Sequence, residues 1–193
     1  LRGANMRNKQ IKILLLSSLF VIISLFFCSC TFNSNLNIVD DNKNYRIIQN
    51  ENGTYNILIL NDDNDVVYQE KNIKQPVYIS KNNSLVTISK DYGTGLQLVK
   101  YYDLTKEMIS DEYQYVIANN DTYVAYIDCE DMSNRSVVVQ NIFDKNILYY
   151  KVQLDFAKID TPIENAEFID NNNLKITYIN SLDNSIETTV KFS

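Results

Sequence analysis

The 193-residue sequence predicts an all-β chain of antiparallel four-stranded meanders that repeat at intervals of about 40 residues. Three observations carry this. Apolar residues alternate at period two through most of the chain, in runs rich in Ile, Val, Tyr and Thr, as in Leu85-Val86-Thr87-Ile88 and Tyr123-Val124-Ala125-Tyr126-Ile127. Clusters of Asn, Asp and Ser separate these runs; such side chains bond their own backbone and tolerate positive φ, so they mark turns. Beyond residue 30 no segment holds a 3.6-residue period for three turns.

The elements come in order along the chain. Met6 is the expected start, with residues 1–5 a gene-model extension. Arg7, Lys9 and Lys12 form a basic segment, and Ile13 to Phe27 is an apolar run of 15 residues interrupted only by Ser17, Ser18 and Ser24. That is the length of a secretory signal and shorter than the roughly 20 residues that span a bilayer. The run ends in Phe26-Phe27-Cys28-Ser29-Cys30. Apolar residues, then a small residue, then Cys resembles the lipobox of bacterial lipoproteins. Ser29 supplies the small residue before Cys30, whereas Cys28 follows the bulky Phe27. The resemblance implies cleavage after residue 29, lipidation of Cys30 and a place on the extracytoplasmic face of a bacterial cell membrane. Two acyl chains, at about 0.8 kcal/mol per buried CH₂, anchor stably where one is marginal. Residues 30–35 read as the lipidated cysteine and a short tether, and 36–193 as one all-β domain.

Four of the 18 Lys+Arg precede Cys30 and no acidic residue does, so the processed chain carries 14 basic against 24 acidic residues, a net −10 over 164 residues. Nucleic acid is not an expected partner, because it requires a basic stripe. Anionic head groups would repel the domain, so the lipid and not charge is expected to hold it at the membrane. The chain has no His, which excludes Ser-His and Cys-His nucleophile pairs and His-ligated metals. Four Gly leave little for a phosphate loop, and no cofactor is expected. Asp91-Tyr92-Gly93-Thr94-Gly95, which holds two of them, reads as a tight hairpin because no helix follows. Only Cys129 remains in the folded part, where it reads as a small buried apolar residue.

Strands of one type begin near Leu36, Pro76, Gln114 and Asn165, and of a second near Tyr45, Leu85, Tyr123 and Leu174. A third type begins near Asn56, Leu96, Val137 and Ile186, and a fourth near Val66, Glu107 and Ile147. The fourth copy therefore lacks its last strand. Four strands in about 40 residues resemble a β-propeller blade, and stacking such blades buries both faces of each. The resemblance implies a β-propeller-like architecture. The alternative is a β-sandwich with the same regular strand and turn lengths.

Candidate chemistry is sparse. Asn61-Asp62-Asp63-Asn64-Asp65 alternates oxygen ligands as Ca²⁺ requires, with Asp63 and Asp65 as candidate metal ligands. It lacks the Gly and Glu that an EF-hand loop needs at its sixth and twelfth positions, which hold Val66 and Asn72, and it sits where a hairpin turn is expected. Asp128 and Asp131, with Glu130 between them, form a second acidic cluster on the same terms. Tyr101-Tyr102 and Tyr149-Tyr150 are adjacent pairs near strand ends, so one of each is expected to face outward as a binding surface. Three functions follow from different classes. The first is a non-enzymatic binding or accessory module for another envelope or secreted protein, such as interception of a basic antibacterial peptide. The second is an envelope glycan hydrolase working through paired carboxylates. The third is a partial propeller completed by a partner or a second copy.

Overall fold

A computed structural model describes residues 37–93, 95–131, 134–144, 146, 150–157 and 162–192, apart from the side chains at 130, 131 and 134. Cys30, the signal segment, the tether and Tyr149 lie outside these residues. The described residues contain sixteen strands and no helix.

The first sheet is β1 (Asn37–Asn42), β2 (Tyr45–Gln49), β3 (Tyr55–Leu60) and β4 (Val66–Ile73), paired in that order. The second is β5 (Val77–Asn82), β6 (Leu85–Asp91), β7 (Gln97–Asp103) and β8 (Met108–Ile109), with β9 (Tyr113–Gln114) also on β7. The third is β10 (Val116–Asn119), β11 (Tyr123–Asp131), β12 (Asn134–Asn141) and β13 (Tyr150–Gln153). The fourth has three strands, β14 (Ile163–Phe168), β15 (Asn173–Ile179) and β16 (Ser185–Lys191). All pairings are antiparallel, and the expected strand starts are met within three residues.

The Asn-rich turns have a common chemistry. In Asn61–Asp65, the Asn61 N–H donates to the Asp65 carbonyl at 3.0 Å and the Asn64 N–H to the Asn61 carbonyl at 3.1 Å. Asn180–Asn184 repeats both bonds at 2.9 and 3.0 Å, and Asn50–Thr54 repeats them at 2.8 and 2.9 Å. The fourth residue of each is left-handed: Asn64 at φ 66°, Asp183 at 58° and Gly53 at 79°. This is the three-residue hairpin loop, a turn followed by one left-handed residue, which Gly, Asn and Asp tolerate best.

Packing explains why the sheets come in series. Tyr45, Ile47, Ile57 and Ile59 of the first sheet meet Val77, Ile79, Val86, Ile88 and Tyr102 of the second. Leu85, Val99, Tyr101 and Tyr113 on the other face of the second meet Val124 and Ile142 of the third region. Ala125, Ile127, Val137 and Val139 of the third meet Leu174, Ile176, Tyr178 and Val190 of the fourth. One meander has two faces and cannot cover both alone, so each inner sheet borrows a cover from each neighbour. The fourth sheet turns Lys175, Thr177, Glu187 and Thr189 away from that core, with Lys175 and Glu187 paired at 3.0 Å. This polar face ends the series, and among the described residues no apolar cluster joins the fourth sheet to the first.

Candidate functional site: a tyrosine-lined cleft and its ion cluster

The segment around β9 leans on β11 and β12. Glu112, Tyr113, Gln114 and Tyr115 face Tyr126, Ile127, Asp128, Cys129 and Gln140 across an open cleft of ≈ 310 Å³. Its wall is fixed by a buried relay. The Tyr126 hydroxyl donates to Gln140 Oε1 at 3.1 Å, Gln140 Nε2 donates to the Tyr113 hydroxyl at 3.2 Å, and Tyr113 donates to the Ile142 carbonyl at 2.7 Å. A fully satisfied polar chain of this kind locks side-chain rotamers. The Tyr113 ring also lies 5.7 Å from that of Tyr126 and 6.0 Å from that of Tyr101. At the mouth, Tyr115 is half-exposed at φ 50°, a left-handed conformation that is uncommon for an aromatic residue, held where the Ile127 N–H donates to its carbonyl at 3.0 Å.

Glu112 links this cleft to a cluster of charges between the first two sheets. Period-two alternation puts Val86, Ile88 and Lys90 of β6 on one face, toward the first sheet, and the same face of β7 carries Lys100 and Tyr102. The Lys90 ammonium, 7% exposed at its side chain, reaches Glu70 of β4 at 2.5 Å and Glu112 at 2.8 Å. Lys100 lies 3.5 Å from Glu112 and 3.8 Å from Glu70, and the Tyr68 hydroxyl donates to Glu70 at 3.1 Å. Two cations and two anions thus cancel around the buried Lys90 ammonium. Burial alone would lower the Lys90 pKa, but its bonds to Glu112 and Glu70 outweigh that and hold it above the ordinary value. The Lys90 bond pulls the Glu112 carboxyl below its usual range against a smaller opposing effect of burial. Burial, with the Glu70 carboxylate beside it, pushes Tyr68 up to about 12.

Asp63 and Asp65 are exposed in the turn before β4, where their N–H groups donate to Asn61 Oδ1 at 3.0 and 2.8 Å. Asn180 makes the same pair of bonds, to Leu182 and Asn184 at 3.0 and 2.9 Å, in a loop with a different acid pattern. Asp62 pairs with Lys43 at 2.9 Å. The segment therefore has the bonding of a hairpin loop, and among the described residues no three Asp, Glu or Cys side chains gather as a metal-holding group. Asp128 lines the cleft and accepts from Lys151 at 2.8 Å. The Asp131 side chain lies outside the described residues.

Two expectations are corrected. Tyr101 and Tyr102 do point to opposite faces, yet both are buried, at 0% and 3% exposure, because the second sheet has a neighbour on each side and no solvent face at β7. They offer no binding surface; the hydroxyl of Tyr101 is itself buried without a hydrogen-bond partner. Tyr150 is exposed on β13. Cys129 is exposed rather than buried. It follows the apolar run of nine-residue β11, at an irregularity in the pairing with β12. Partial burial raises its thiol pKa, with Arg135 opposing and Asp128 adding.

Sequence reading missed the Lys90 cluster and the Tyr113–Gln140–Tyr126 relay. Lys90 carried a signal: a charge at the third position of the apolar alternation Val86, Ile88, Lys90 points inward and demands a partner. The relay carried none, since it joins residues up to 27 apart in sequence.

These features define a repeat protein of stacked antiparallel meanders with a tyrosine-lined cleft between its second and third sheets. No protein-family model matches the chain, and a search of curated proteins finds no match to it.

Proposed function

We propose that the chain is a lipid-anchored binding module of the bacterial envelope, held by Cys30 at the extracytoplasmic face of the membrane and docking another envelope or secreted protein at the Tyr115 cleft. What supports the anchor is the signal-like segment ending at Ser29-Cys30. What supports binding over catalysis is one observation: Glu112, a carboxyl of the cleft, is already committed to two cations of the chain itself, Lys90 at 2.8 Å and Lys100 at 3.5 Å. A ring displayed at a strained position against a rigid wall suits contact, because Tyr presents a flat apolar face and a hydroxyl with little entropy to lose. The net −10 charge of the processed chain favours a basic partner surface.

Glycan hydrolysis is the second reading, because Glu112 and Asp128 line the same cleft. A photo-reactive residue at position 115 of the membrane-anchored chain separates the two. A discrete crosslinked protein that disappears when Gln140 is also changed to Ala supports docking. Glycan turnover by the purified chain, abolished by Glu112→Gln, overturns it.

A further inference from the structure

We propose that Asn52 is a site of spontaneous covalent modification, where the Gly53 amide nitrogen closes on the Asn52 side chain to a succinimide that water opens to aspartate and isoaspartate. The site lies in the hairpin loop between β2 and β3. It shares no residue with the cleft and depends on neither the docking reading nor the anchor.

Of the 26 Asn, Asn52 alone is followed by Gly. The reaction is intramolecular. The Gly53 nitrogen gives up its proton to solvent and bonds to Cγ of Asn52, and the side-chain nitrogen takes up a proton and leaves as ammonia. Water then adds to one of the two ring carbonyls. Opening on one side restores an ordinary peptide link with an aspartyl side chain. Opening on the other leaves the main chain running through the former side chain, longer by a methylene. A Cβ on the following residue crowds the attack, and Gly has none.

The loop places the reacting groups and activates the carbon. Asn52 and Gly53 are exposed, and a Cβ built on Gly53 would meet nothing within 4 Å, so the side chain has room to swing onto the nitrogen. Asn52 Oδ1 accepts from the Thr54 N–H at 3.1 Å and from the Thr54 hydroxyl at 2.7 Å. The direction of that hydroxyl proton is set by its neighbours. Thr54 Oγ1 accepts from Asn50 Nδ2 at 2.7 Å, and Asn50 is fixed by reciprocal amide bonds with Asn56 at 3.2 and 2.9 Å. As the nitrogen adds to Cγ, negative charge gathers on Oδ1, and two donors already aimed at that atom act as an oxyanion hole does.

One bond opposes the reaction. The Gly53 N–H donates to the Asn50 carbonyl at 2.9 Å and has to be released before the nitrogen attacks. It is a single bond at an exposed loop tip, where opening costs least. The two sister loops are wired differently. Asn61 and Asn180 use Oδ1 for the N–H groups two and four residues on, and Asp63 and Leu182 stand in the place of Asn52. The longer main chain of the isoaspartyl product disturbs the turn that pairs Gln49 with Tyr55, and either product adds a negative charge to an acidic chain.

The test holds the full chain in detergent micelles at mildly alkaline pH and maps it by peptide mass spectrometry, with enzymatic methylation of isoaspartate as a second readout. Conversion confined to the peptide that contains Asn52, and faster as pH rises, is the expected result. Gly53→Ala is expected to slow it at least about tenfold. Thr54→Val, which removes the hydroxyl donor and keeps the N–H, is expected to slow it at least about threefold, with hydrogen exchange at Ile57 and Ile59 as in the parent. Thr54→Ser, which keeps the donor, is expected to convert at the parental rate. Faster conversion in Thr54→Val would show that the hydroxyl restrains the side chain instead of activating it. An intact Asn52 under conditions that convert the urea-unfolded chain would show that the loop shields it. Either result would overturn the proposal, as would equal conversion at Asn83 or Asn180, which precede Ser.

Discussion

Lys90 of β6 donates to Glu112 across 2.8 Å and to Glu70 across 2.5 Å, so one ammonium ties the first sheet, the second sheet and the rim of the cleft together. The geometry makes stability and the candidate site depend on the same charge.

Removing that charge is expected to be costly. Lys90→Ala leaves Glu70 and Glu112 sharing only the more distant Lys100, at 3.8 and 3.5 Å. A fully buried pair broken in this way loses about 3–5 kcal/mol; both carboxylates keep some water here, so about 2 kcal/mol is expected. Lys90→Met with Glu70→Gln is expected to recover part of it. Urea unfolding of the single and double variants measures the coupling, and full additivity would show that the cluster does not act as a unit.

The same cluster sets the pH limits of stability. Tyr68 has its folded pKa raised to about 12 from an ordinary 10, so its contribution is complete below pH 10 and is lost between pH 10 and about 12. Lys90 is raised as well and acts in the same direction. Glu112 and Asp103 are lowered: Lys90 pulls Glu112 down, and for Asp103 the N–H groups of Thr105 and Lys106 overcome burial. Their contributions are present above the ordinary carboxylate range and lost as pH falls through it. Thermal melts from pH 3 to 12 should give a plateau between, and Tyr68→Phe should flatten the alkaline limb. An alkaline limb unchanged in Tyr68→Phe would assign it to other groups.

Tyr115 separates strain from contact. At φ 50°, Tyr115→Gly is expected to stabilise the fold by up to about 1 kcal/mol, because Gly adopts that conformation without penalty, while Tyr115→Ala keeps the strain. Both are expected to lose the docked partner. Partner capture by the Gly variant at parental levels would remove the ring from the proposed contact.

Asn61 is expected to be a structural residue. Asn61→Ala leaves the N–H groups of Asp63 and Asp65 without their acceptor and should cost about 1–2 kcal/mol, whereas Asn61→Asp keeps an acceptor oxygen and should cost less. Asn180→Ala should behave alike. Stabilisation of the parent by millimolar Ca²⁺, absent in Asp63→Asn, would instead make the loop a cation site.

Cys30→Ser tests the anchor. The expected outcome is release of the chain from membranes into the soluble fraction, with no acyl mass on residue 30. A variant that stays membrane-bound with its N-terminal segment intact would make that segment a membrane helix.

The strand plan was readable because it is local. Alternation in Leu85–Asp91 and Tyr123–Ile127, and acceptor side chains such as Asn61 and Asn180, act within a few residues of themselves. Which faces are covered is not local. Tyr101 and Tyr102 have the alternation of a half-exposed strand, and only the two flanking sheets bury both. Cys129 continues an apolar run but is exposed.

What the residues determined by themselves was the β class and the recurrence of its meanders, since side-chain period and turn chemistry are properties of neighbours in the chain. Tertiary structure alone decided that Lys90 meets Glu70 and Glu112, that Gln140 joins two tyrosines, and that the cleft opens beside Tyr115. Those contacts arise from stacking one sheet upon the next, and the order and spacing of that stack are set by the summed burial of all four faces rather than by any single segment.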